Sequence, residues 1–184
     1  METLIINFFG SPSAGKSTQA AGLFYKLKMK GTNCELITEY AKDATWEKNF
    51  TALENQFFTT ANQVYRQERV EGKVDVLITD SPIILGLFYW NPSNKSKYEY
   101  FKKFLLEVFF EKNTINVFVR RKHAYSQIGR NQTENEAEDI GDKILSFLDE
   151  NKIQYFTIDG TPGGLEEVYD SVNIKLNKMK QTRL

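Results

Sequence analysis

Positions 10 to 17 read Gly-Ser-Pro-Ser-Ala-Gly-Lys-Ser, two glycines closed by a lysine and a hydroxyl, in full agreement with G-x-x-x-x-G-K-[ST]. These are the types that the holding of a polyphosphate requires. Gly10 and Gly15 permit backbone conformations that aim successive N–H groups, those of Ser13, Ala14, Gly15, Lys16, Ser17 and Thr18, into one concavity. A helix opening near Lys16 adds its positive end at the same point. Lys16 has the reach for β- and γ-phosphates, and the Ser17 hydroxyl is placed to ligate Mg²⁺. The bland counterpart is an ordinary glycine-rich turn.

A second group of candidates consists of carboxylates at strand ends. Val74 to Thr79 is an apolar strand closed by Asp80, which can hold Mg²⁺ or its water shell opposite Ser17. Many strands end in aspartate merely as a turn residue; after a complete phosphate loop the metal reading gains force. Ser81-Pro82 follows, without the neighbouring glutamate that mechanical ATPases use to activate water, which favours transfer to an acceptor over hydrolysis. Glu39 ends the run Cys34 to Thr38. If these strands are neighbours in a parallel sheet, Glu39, Asp80 and the phosphate loop share one rim. There Glu39 could accept a proton from an attacking hydroxyl or hydrogen-bond a sugar; otherwise it is a solvated or helix-capping side chain.

Arg120, Arg121 and Lys122 follow the fourth strand, and no acid interrupts the sequence up to Arg130. Such a segment, about 120–133, could close over the polyphosphate as a lid, with arginine forks neutralising charge during transfer. Arg120 could instead simply terminate the strand. Gln56 and Gln63 share a helix face, as do Arg66 and Arg69; these four could line an acceptor pocket or face solvent. Trp46, Phe57 and Phe58 are expected in the core, and His123, the sole histidine, is assigned no role.

The elements that must position these residues are legible as five short apolar runs: Leu4 to Phe9, Cys34 to Thr38, Val74 to Thr79, Ile115 to Val119 and Tyr155 to Ile158. Nearly continuous runs of this length suit strands buried on both faces. Helical apolar faces lie between and after them: Ala20, Leu23, Phe24 and Leu27; Phe101, Phe104, Leu105 and Val108; Ile140, Ile144, Phe147 and Leu148; Leu165, Val168, Tyr169 and Val172. Asp43 to Gly72 reads as helix in two pieces, and Asn91-Pro92-Ser93-Asn94 as a turn cluster. Strand alternating with helix gives right-handed βαβ units and an α/β fold.

The chain of 184 residues, with 24 basic and 24 acidic side chains, fits one domain over 1–184 and gives no whole-molecule argument for a nucleic-acid binder. The 14 Phe, 9 Tyr and 2 Trp argue against disorder. Cys34 stands alone, which excludes an internal disulfide and a cysteine-rich zinc site. With no long apolar run and no signal-peptide pattern, the expectation is a cytoplasmic protein without a membrane partner.

Together GSPSAGKS, ITEYA, VDVLITDSP, VFVRR and YFTIDG resemble the P-loop kinases of the nucleoside and nucleotide kinase group over most of the chain. The Glu39-Tyr40 element looks like the corresponding segment of ribosylnicotinamide-kinase-like proteins, and Glu39 stands where deoxynucleoside kinases carry their acidic base. Small phage-encoded P-loop kinases, including those proposed to phosphorylate a hydroxymethylated pyrimidine in DNA, look similar overall. The resemblance implies a doubly wound five-stranded parallel sheet ordered 2-3-1-4-5, helices on both faces, a lid after strand four, and adenine near Asp159 to Gly163. Ser81-Pro82 departs from the acid-arginine pairs of thymidylate and deoxynucleoside kinases, so an acceptor arginine is missing there.

The expectation is thus an ATP- and Mg²⁺-dependent phosphotransferase acting on a nucleoside- or nucleotide-type acceptor. Its site would comprise Lys16, Glu39, Asp80, Arg120, Arg121 and Arg130, with Ser17 and Asp80 managing the metal. Two alternatives stand beside it: a kinase acting on a modified base in DNA, and a nucleotide-dependent switch without an acceptor. A homodimer is compatible with the sequence, which does not set the oligomeric state.

Overall fold

The computed structural model describes residues 2–90, 95–126, 128 and 132–182. Five strands, β1 (Leu4–Phe9), β2 (Cys34–Ile37), β3 (Val76–Thr79), β4 (Thr114–Arg120) and β5 (Phe156–Asp159), form one sheet in the order β2-β3-β1-β4-β5. Every neighbouring pair is parallel, as the βαβ alternation requires. The helices are α1 (Lys16–Met29), α2 (Tyr40–Trp46), α3 (Phe50–Glu54), α4 (Gln56–Glu68), α5 (Lys95–Phe110), α6 (Glu134–Glu150) and α7 (Pro162–Thr182), with a 3-10 helix at Ile83–Tyr89. None of them, among the described residues, is long and apolar enough to cross a membrane.

The pleat divides the core. Leu4, Ile6 and Phe8 pack with Leu23, Leu27, Val168 and Val172 against α1 and α7 on one face. Phe9 joins Ile84, Leu105, Ile144 and Leu148 under the 3-10 helix, α5 and α6 on the other. Asn7 is buried within this apolar pattern because its amide donates to Asn116 Oδ1 (2.9 Å) on the adjacent β4, where the two residues are register partners. Cys34 is buried at the start of β2, and that burial pushes its thiol pKa up.

Three expectations are corrected. The stretch before β3 is three helices, because Asn49 and Asn55 each cap a new start by accepting from Ala52 N and Phe58 N. α5 buries Phe101, Leu105 and Phe109, an i, i+4 row, which turns Phe104 outward. Phe57 and Phe58 are exposed rather than core residues, since the buried side of α4 is its polar side, and Trp46 is exposed at the end of α2, which buries Ala44. The Asn91–Asn94 cluster lies outside the described residues.

Candidate active site

The parallel sheet brings the carboxyl ends of its strands to one edge, so residues distant in sequence meet there. The loop between β1 and α1 wraps tightly at that edge. Gly10 has φ 141° and Gly15, the N-cap of α1, has φ 95°, both in the region that favours glycine. A Cβ on Gly10 would lie 2.7 Å from the Val119 carbonyl oxygen of β4. Gly10→Ala is therefore expected to cost at least about 2 kcal/mol of stability, from backbone strain plus this collision. Urea unfolding of the variant measures it, and an unchanged midpoint and slope would refute the strain argument.

Lys16 extends along this loop, its ammonium donating to the carbonyls of Gly10 and Ser11 at 3.0 Å each. Ser13, buried at φ 63°, accepts through Oγ from the Ser126 backbone N–H (3.1 Å), which ties the segment after β4 to the loop. Gly160, just past β5, backs onto the same turn: a Cβ there would lie 2.7 Å from the Ala14 carbonyl oxygen. The adjacent Thr161 carbonyl accepts from Gln19 Nε2 (3.0 Å). The stretch expected near adenine is thus packed against the phosphate loop.

A cleft of about 670 Å³ opens in front of α1. One wall is Pro12 to Thr18; a second is Glu39 with Lys42, Thr45 and Trp46 on α2; Leu53, Gln56, Thr59, Leu85 and Tyr89 form the far side. His123, Ser126, Ile128 and Gln132 supply the remaining side. Glu39 is the N-cap residue of α2 yet makes no side-chain cap bond, and its side of the cleft continues into a smaller recess of about 30 Å³ beside Gln63, Ser81 and Gly86. Gln63 accepts from the Tyr40 N–H (2.9 Å) and so fixes the entry to α2 from behind.

Asp80 follows β3 as read from the sequence. It is only 4 % exposed, and its Oδ1 has no hydrogen-bond partner among the described residues. A buried carboxylate oxygen without a donor is costly unless a cation or water meets it. Ser17 lies on the cleft at the first turn of α1, beside the strand that pairs with β3. No cluster of three His, Cys, Asp or Glu exists among the described residues. Asp80 is not among the residues lining the cleft; a carboxylate and a hydroxyl are hard oxygen donors of the type that Mg²⁺ takes beside waters and phosphates.

The arginines behave differently. Arg120 Nη2 and Nε bond Asp159 Oδ1 at 2.7 and 2.8 Å, and Lys122 pairs with Asp159 Oδ2 at 3.3 Å. Arg121 bonds Glu138 at 2.8 Å and Glu134 at 3.0 Å on the first turns of α6. Acids remote in sequence thus anchor this segment, and neither Arg120 nor Arg121 is among the residues lining the cleft. Arg130 lies outside the described residues. Arg66 pairs with Asp43 (2.6 Å) and donates to the Thr38 carbonyl (3.3 Å), while Arg69 is exposed. Of the four acceptor candidates on α4, the two glutamines reach the cleft or its recess. Sequence reasoning missed Lys42, Trp46 and His123 as cleft residues; placement of Lys42 one turn and Trp46 two turns beyond Glu39 was the available signal.

Comparison with known proteins agrees with this geometry. No curated protein matches the chain by sequence. Among solved structures, a NadR protein in complex with NAD and AMP-PNP is similar at a TM-score of 0.68 and 15 % identity, over 95 % of this chain and 50 % of that one. The chain thus spans about half the length of that NadR. Deoxyadenosine kinase from M. mycoides with bound dATP is similar at a TM-score of 0.61 and 18 % identity, over 92 % of this chain and 98 % of that one. The same kinase with bound dCTP gives a TM-score of 0.59 and 16 % identity. At these identities the likeness establishes the fold. The sequence model described as an AAA domain matches residues 5–167, a span that takes in the phosphate loop, Asp80 and, but for Leu4, all five strands, and the chain belongs to that family of P-loop domains.

Proposed function

We propose that the protein is a kinase that transfers the γ-phosphoryl group of ATP to a hydroxyl of a nucleoside-type acceptor. The observation that carries this reading is the position of Glu39 on the wall of the cleft whose other wall is the phosphate loop. A carboxylate there faces the space between donor and acceptor. In the step proposed, the acceptor hydroxyl gives its proton to Glu39 as its oxygen bonds to the γ-phosphorus. The bond from that phosphorus to the β–γ bridging oxygen breaks, and ADP leaves. Lys16 and the loop amides hold the β- and γ-phosphates; the role of Ser17 and Asp80 is to hold Mg²⁺, which when bound offsets charge on the phosphate oxygens. Positioning and fixed dipoles supply most of the acceleration.

The acceptor side supports an unphosphorylated substrate. Trp46 and Tyr89 present exposed rings, and Gln56 and Thr59 present neutral polar groups. Arg66 is committed to Asp43, which leaves Lys42 as the cation on that side among the described residues. Flat rings with amide and hydroxyl partners suit a nucleobase. The printed names of the fold neighbours, a deoxyadenosine kinase and a NadR bound to AMP-PNP, are consistent with it.

The test is transfer of label from γ-labelled ATP across nucleosides, nucleoside monophosphates, plain DNA and DNA containing 5-hydroxymethyluracil. Label on one or more nucleosides is expected. Label confined to monophosphates or to the modified DNA would reassign the acceptor, and ATP hydrolysis unmoved by every member would make the chain a nucleotide switch.

A further inference from the structure

The side chain that the segment after β4 turns to the phosphate loop is His123, not one of its arginines. Arg120 and Lys122 are both drawn to Asp159 at the end of β5, and Arg121 to Glu134 and Glu138 on α6. Further along, the Ser126 N–H donates to Ser13 Oγ on the phosphate loop. His123 stands between these two sets of ties, so the backbone is held on either side of it. Its imidazole lies against Gly15. A Cβ built on that glycine would stand 3.6 Å from His123 Cε1, and no other atom of the described residues beyond the glycine's chain neighbours comes within 4 Å of that position. Cε1 is bonded to both ring nitrogens, so the polar edge of the ring is the edge nearest the loop.

A lone exposed histidine is ordinarily a solvated surface residue. Here the ring lines a concave wall that it shares with Gly15, Lys16 and Ser17, and it makes no hydrogen bond or ion pair among the described residues. Gly15 is the N-cap of α1, so a phosphate held by the first N–H groups of that helix comes within reach of the ring. An imidazole donates through one nitrogen when neutral and through both when protonated, and the protonated form gives a charge-assisted bond to a phosphate oxygen. The arginine forks beside it are occupied by carboxylates, which leaves the imidazole to serve the phosphates from this side of the cleft.

We propose that His123 binds the polyphosphate of the nucleotide, an imidazole N–H donating to a phosphate oxygen, in the role that the sequence suggested for Arg120 and Arg121. The inference rests on the phosphate loop holding a nucleotide and is independent of which acceptor receives the phosphoryl group. ATP and inorganic tripolyphosphate, each with Mg²⁺, are titrated into the full chain by calorimetry. His123→Phe keeps a flat ring and removes both nitrogens. It is expected to weaken both ligands by about tenfold or more, with thermal unfolding of the free protein unchanged. The chain has one histidine, so its ring signals in proton–carbon spectra need no assignment, and saturating tripolyphosphate is expected to shift them in the wild type. Wild-type affinity of His123→Phe for both ligands, or ring signals unmoved by bound tripolyphosphate, overturns the proposal. A loss confined to ATP overturns it as well and assigns the ring to the base. A wild type that binds neither ligand removes the phosphate-loop reading and the proposal with it, whereas ATP binding without transfer to any acceptor counts against the kinase reading alone.

Discussion

Lys16→Ala is expected to abolish phosphoryl transfer, with a loss of at least about 10³-fold, and to weaken ATP binding by about 100-fold. The Lys16 ammonium already lies on the phosphate loop, against the carbonyls of Gly10 and Ser11. With Arg120, Arg121 and Lys122 all paired to carboxylates, Lys16 and Lys42 are the lysine or arginine side chains among the described residues that line the cleft. Loss of one positive charge near a triphosphate in a partly closed site exceeds the effect of any neutral contact there. Stability should change little, because the bonds to Gly10 and Ser11 are to loop carbonyls at the cleft surface rather than to core groups. Two readouts separate these effects. Thermal unfolding without nucleotide should match the wild type. ATP at 100 times the wild-type dissociation constant, worth about 2.7 kcal/mol to the wild type, should then stabilise the variant by well under half of that. Equal stabilisation of both proteins by ATP would remove the phosphate-loop assignment itself, and with it every later step.

What the sequence made legible and what it hid divide along the range of the interactions. The phosphate loop was readable because eight consecutive residues carry the geometry, and β1 was readable end to end because both of its faces are buried. Glu39 and Asp80 were placed on one edge by the βαβ rule, which fixes strand direction without knowledge of contacts. The arginine segment misled because charge runs show only their own side chains. The partners of Arg121 stand 13 and 17 positions on, and that of Arg120 stands 39 positions on. Nothing local distinguishes an arginine aimed at a phosphate from one held by a distant acid. Phe57 and Phe58 misled for a related reason: an apolar residue in a helix is ordinarily a core residue, and here the helix turns its amides inward to the cleft. The fold was therefore more legible than the site, and the acceptor wall the least legible part.

Glu39→Gln is the sharper test of chemistry, with an expected fall in kcat of about 10²- to 10⁴-fold. Glutamine keeps the shape and the hydrogen-bonding capacity of glutamate but cannot take a proton from an attacking hydroxyl. As the N-cap of α2, Glu39 makes no side-chain cap bond, so the exchange leaves that helix start as it is. Gln63 holds Tyr40 through the backbone N–H, a contact the substitution does not touch. ATP affinity should thus be unchanged while transfer collapses. The competing role of this carboxylate, a hydrogen bond to a sugar of the acceptor, makes the opposite forecast. Glutamine would then substitute at small cost, kcat would hold, and the acceptor KM would rise a few-fold. A kcat loss at constant ATP affinity means a base; a KM change at constant kcat means a binding group, and the proton would then need another acceptor. Among the described residues lining the cleft, the only other ionisable side chain outside lysine and tyrosine is His123, whose Cε1 would lie 3.6 Å from a Cβ built on Gly15. That places the imidazole beside the phosphate loop rather than on the acceptor wall, so the proposed transfer assigns the proton to Glu39.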